Sequence, residues 1–123
     1  MDFNAIAATV KDSFEIEILH PTTGEGGWFI ELASPCHADA QAKVSAILDR
    51  SRKRKGSTVG QDERDGIDLI GARILGWRGL KNGADEVPYS PETAASILTN
   101  RKSFWIRNQI LEALGDLSRP FNA

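Results

Sequence analysis

The chain has 123 residues, 41% hydrophobic and 26% charged, and its 15 basic and 17 acidic side chains give a formal net charge of −2. That length matches one domain with an ordinary core, and the single cysteine excludes an intramolecular disulfide framework. No segment approaches the ~18 successive apolar residues of a membrane span, and Met1 to Ile6 lacks the basic start of a secretory signal, so the reading is of one domain over residues 1–123, at work in the cytoplasm.

Residues 1–11 carry neither a clear start nor a clear stop signal. From Phe14 to His20, apolar Phe14, Ile16 and Ile18 alternate with Glu15 and Glu17, the period of a half-buried strand. A Gly-rich turn spans Pro21 to Gly27, and Trp28, Ile30 and Leu32 then line one side of a second strand. Together they predict a β-hairpin over about residues 12–35. Such a hairpin is marginal alone, so its apolar face needs the helices that follow.

Ser34-Pro35 reads as a helix start, with Cys36, Ala40, Val44, Ile47 and Leu48 on one arc of a helix ending near Lys55 and Gly56. A loop over Ser57 to Asp62 leads to a second helix from about Glu63 to Gly76, its main stripe Ile67, Ile70, Ile74 and Trp77. Leu69 and Ala72 on its other side call for cover from a second direction. Gly66 and Gly71 within it each cost ~1 kcal/mol relative to Ala, which close packing must offset. Ser90-Pro91-Glu92 starts a short third helix to about Thr99 that buries Ala94, Ala95, Ile97 and Leu98. Asn100 caps the last, which presents Ile106, Ile110, Ala113, Leu114 and Leu117. The predicted fold is α+β, an N-terminal hairpin packed on about four helices that occupy residues 36–118.

No catalytic constellation emerges. Cys36, His37 and His20 lack a fourth donor at metal-ligand spacing, so no metal site or cofactor is expected. Cys36 also falls on the apolar arc of its helix, as a small buried hydrophobe. Gly24-Glu25-Gly26-Gly27 joins strand to strand and so is no phosphate cradle. Asp62, Glu63, Asp65 and Asp68 crowd a helix start, where they complement its dipole.

Arg50, Arg52, Lys53, Arg54 and Lys55 place five cations in six positions, leaving ten against seventeen acids elsewhere. At 100° per residue they circle the helix instead of following a phosphate track, which favours a solvated C-terminal end over nucleic-acid binding. Trp105 lies on the side shared with Asn108, Gln109 and Glu112, so it is either an interface anchor or a staple to the preceding loop.

Three strings carry a resemblance: Asp68 to Leu80, with Gly76-Trp77-Arg78-Gly79; Glu86 to Ala95, with Val87-Pro88-Tyr89-Ser90-Pro91-Glu92; and Trp105-Ile106-Arg107. With the His20-Pro21-Thr22-Thr23-Gly24 turn, they resemble the tail assembly chaperones of long-tailed bacteriophages and prophages, over most of Phe14 to Leu117. The resemblance implies a non-enzymatic, cofactor-free binding protein. Its partners would be the helical tape-measure protein and tail tube subunits, met before the tube polymerises. Apolar grooves would shield apolar helical segments, aided by charge. The contact residues expected are Phe104, Trp105 and Leu111, with the cationic end Arg52, Lys53, Arg54 and Lys55. No membrane partner is implied, and self-association stays open. The alternatives are a small nucleic-acid-binding or regulatory phage protein using the basic helix end, or a structural tail or head–tail component.

Overall fold

The computed structural model describes residues 1–54, 56 and 58–122. The architecture is α+β. A short helix α1 (Phe3–Ala7) precedes strands β1 (Ser13–Ile18) and β2 (Trp28–Ala33), then helices α2 (Ala38–Lys53) and α3 (Val59–Gly71). Strand β3 (Ile74–Arg78) and a miniature pair, β4 (Lys81–Asn82) and β5 (Asp85–Glu86), lead to α4 (Pro91–Thr99). A 3₁₀ turn (Arg101–Ser103), α5 (Phe104–Gly115) and α6 (Arg119–Asn122) complete the chain.

The hairpin forms where the alternation places it, with Ile16 opposite Ile30 and Phe14 opposite Leu32. A third strand then joins it. The main sheet runs β1-β2-β3, all antiparallel, so the predicted second helix stops at Gly71 and the segment carrying Ile74 and Trp77 is extended. A bulge gives this strand its helix-like spacing. Ile30 pairs with Trp77 and Leu32 with Ile74, so two steps on β2 match three on β3. Ile74 and Trp77 therefore both meet the core from a strand while showing a helix-like spacing of three.

Phe14, Ile16, Ile18, Trp28, Ile30, Leu32 and Ile74 cover one sheet face, packing on Ile67 and Ile70 of α3, Ala94 and Leu98 of α4, and Ile106, Ile110 and Ala113 of α5. The other face is polar: Arg78 pairs with Glu15 at 2.9 Å and stacks 4.1 Å from the centre of the Phe29 ring.

Helix starts differ from expectation in two places. Ser34 and Pro35 do not open α2, because the buried Ser34 hydroxyl donates to the Lys11 carbonyl at 2.6 Å. His37 is the cap instead, its Nδ1 accepting from the Ala40 amide. Cys36 thus precedes the helix and is exposed, not part of a buried stripe. Thr58 and Gln61 form a reciprocal capping box that begins α3 at Val59, inside the expected loop. The α4 start at Ser90-Pro91 matches, although Ala95 is exposed. Asn100 caps the 3₁₀ turn and not α5, and Leu117, beyond the end of α5, is exposed. No helix among the described residues is long and apolar enough to cross a membrane.

Candidate partner-binding groove

Helix α5 has two apolar stripes. Ile106, Ile110 and Ala113 enter the core. About 110° further round the helix, Phe104, Arg107, Leu111 and Leu114 recur at helical spacing on an adjacent side. Phe104 is 58% exposed and Leu111 48%. On helix α3, exposed Glu63 and Gly66 stand two turns and one turn before Ile70, a core residue that also borders this side.

These two helix sides face one groove of about 630 Å³. Its floor is Ile67, Leu69, Ile70, Leu111 and Leu114, with Gly66 and Gly115 between them. Glu63, Arg73 and Arg107 are its charged members. One guanidinium N–H of Arg73 donates to the Ala33 carbonyl at 2.8 Å, and burial pulls its pKa below the ordinary arginine value. Leu114 also borders a second apolar cavity of about 310 Å³, walled by Val10, Phe14, Leu117 and Phe121. Exposed Leu117 and Phe121 thus continue the apolar surface beyond the end of α5.

The expected contact residues divide among three places. Leu111 lines the groove, and Phe104 continues its stripe at the N-terminal end of α5. Trp105 points elsewhere. Half-buried, it lies 5.7 Å from the His20 ring and lines a cleft with Trp28 and Gly79. It staples α5 to the hairpin, not to the loop before Asn100.

The basic helix end is apart from the groove, and two of its cations, Arg50 and Arg54, are paired within the fold. Arg54 bonds Asp65 at 2.9 Å, while one Arg50 nitrogen lies 2.9 Å from both Asp65 and Asp68. The buried Asp65 carboxyl titrates below the usual aspartate range, held there first by the Arg54 hydrogen bond and then by that of Arg50. This acidic cluster therefore serves tertiary pairing more than the α3 dipole. Exposed Arg52 reaches only Asp49 at 3.6 Å, Lys53 is exposed, and Lys55 lies outside the described residues.

The α3 half of the groove escaped the sequence reading, although Leu69 off the main stripe and glycine inside a helix were its two signals. Among the described residues, no group of three or more His, Cys, Asp or Glu side chains gathers as a metal site. The Cys36 thiol lies 2.9 Å from the Ser34 hydroxyl, and His37 is engaged as a helix cap. No family model matches the chain, and neither a curated protein nor a solved structure does.

Proposed function

We propose that this chain is a phage tail assembly chaperone that works by covering apolar helical segments of a tape-measure protein in the host cytoplasm. The observation that carries the reading is the open apolar groove between α3 and α5, where Leu111 and Leu114 face Ile67 and Ile70. A long helix with an apolar face aggregates unless that face is covered, and a groove of this kind supplies temporary cover. The motif strings from Asp68 to Arg107 support the same assignment. Tail tube subunits are the second partner in this reading.

Co-expression with a tape-measure fragment tests it. The fragment's soluble share rises with the wild-type chain and falls back with Leu111→Glu, a change at an exposed position that leaves the circular dichroism spectrum intact. A fragment equally insoluble with and without the chain overturns the proposal. So does salt-dependent DNA binding that Arg52→Ala and Lys53→Ala abolish, which marks the nucleic-acid reading. Retention in purified virions marks a structural component instead.

A further inference from the structure

Two glycines in the groove have no employment inside their own fold. Gly66 lies in the interior of α3 and Gly115 ends α5, and a Cβ on either would meet nothing within 4 Å. A helix-interior glycine costs ~1 kcal/mol relative to Ala, so intramolecular packing gives Gly66 no return. The contrast is with Gly79, where a Cβ would overlap the Gly27 carbonyl. What a bare backbone at Gly66 does allow is close approach from outside the chain, since the distance between packed helices is set by the side chains at the contact.

The charged members of the groove are the second observation. Arg50, Arg54, Arg78 and Arg119 each have a carboxylate within 4.0 Å, whereas Arg73 and Arg107 have none among the described residues. Both are half-buried already. Any occupant that excludes water from the groove desolvates their guanidinium groups further, at a cost that only a carboxylate offsets well. Glu63, the acidic member of the groove lining, is exposed. An occupant with cationic or purely apolar flanks would leave both arginines without a carboxylate.

We infer that the groove takes an amphipathic helix with Ala, Ser or Gly where it crosses Gly66, and with Asp or Glu along the flank that meets Arg73 and Arg107. This rests on the groove being the chaperone's binding face, and it adds the occupant's sequence character. The 13 residues of α3 extend about 20 Å, so three to four turns of partner helix are engaged at once.

The test uses two synthetic peptides of about 18 residues, long enough to sustain helix. They share a Leu and Ala face, and one carries Glu on its flanks where the other carries Lys. Fluorescence anisotropy at about 0.15 M salt is expected to give the acidic peptide at least about tenfold tighter binding. Arg107→Glu removes that preference. Gly66→Leu abolishes binding of the acidic peptide, while Gly66→Ala raises the thermal midpoint and shows that the free fold does not need glycine there. Equal affinity for both peptides overturns the inference, as does undiminished binding by Gly66→Leu. Concentration-dependent self-association that Leu111→Glu abolishes also overturns it, because the occupant is then a second copy. The two proposals fail separately. Rescue of the tape-measure fragment without a charge preference sinks only the occupant's character, whereas a charge preference without rescue sinks only the chaperone reading.

Discussion

Gln109 and Leu19 pair through both ends of one amide: the Leu19 N–H donates to Oε1 at 3.0 Å, and Nε2 donates to the Leu19 carbonyl at 2.7 Å. The side chain thereby imitates a neighbouring strand just past the end of β1, and it ties α5 to the hairpin. Gln109→Ala leaves both backbone groups to water at a partly exposed site. The expected loss is about 1–2 kcal/mol, read as a lower urea midpoint with an unchanged slope.

The Arg50–Asp65–Arg54 cluster makes stability depend on acid. An unfolded aspartate protonates near pH ~4, and Asp65 in the folded chain holds its charge to lower pH because Arg54 first and Arg50 second bond to it. Its contribution is therefore fully present above pH ~4 and is lost as pH falls through the lower folded-state value. Urea midpoints of wild type and Asp65→Asn, measured from pH 7 downward, should differ most at neutral pH and converge in acid. Curves separated by a constant gap at every pH would contradict this.

The cations of the basic run are unequal in structural weight. Arg52 and Asp49 are both largely exposed at 3.6 Å, so Arg52→Ala should stay within about 0.5 kcal/mol of wild type. Arg54→Ala leaves the buried Asp65 carboxylate with Arg50 as its one remaining cation and should lower the thermal midpoint well outside that band. Calorimetry of the two variants side by side checks the ranking.

Gly79 closes the turn after β3 with φ +85°, and its backbone lies so near Gly27 that no Cβ fits between them. Gly83 has φ +67° but open space around it. Gly83→Ala should cost about 1–2 kcal/mol for the left-handed backbone alone. Gly79→Ala adds a backbone collision of roughly 1–3 kcal/mol more. Equal denaturation midpoints for the two variants would show that the contact with Gly27 is not limiting.

What could be read from the chain depended on how local each cause was. The Phe14–Ile16–Ile18 alternation and the Ser90-Pro91 start report nearest-neighbour preferences, and both elements appear where those preferences put them. Ser34 carried the same kind of local signal, but its hydroxyl is taken by the Lys11 carbonyl, a contact 23 residues away. Ile74 and Trp77 misled because the bulge opposite Glu31 and Leu32 reproduces a spacing that helices also use. Half of the groove was visible as exposed apolar residues on α5. The other half needed α3 to arrive beside it: Leu69 and Gly66 signal a second covered side of α3, but neither reports which neighbour stands there.

Helix α2 has 16 residues and Ala40 as its buried side chain, so little apolar area anchors it, and its firmest attachments are the ion pairs of Arg50 and Arg54. Its cohesion with the body is therefore electrostatic, while the sheet and α5 cohere through their greasy core. Amide protons of α2 should accordingly exchange with deuterium through a subglobal detachment that leaves β2 and α5 protected, and raised ionic strength should hasten that detachment selectively.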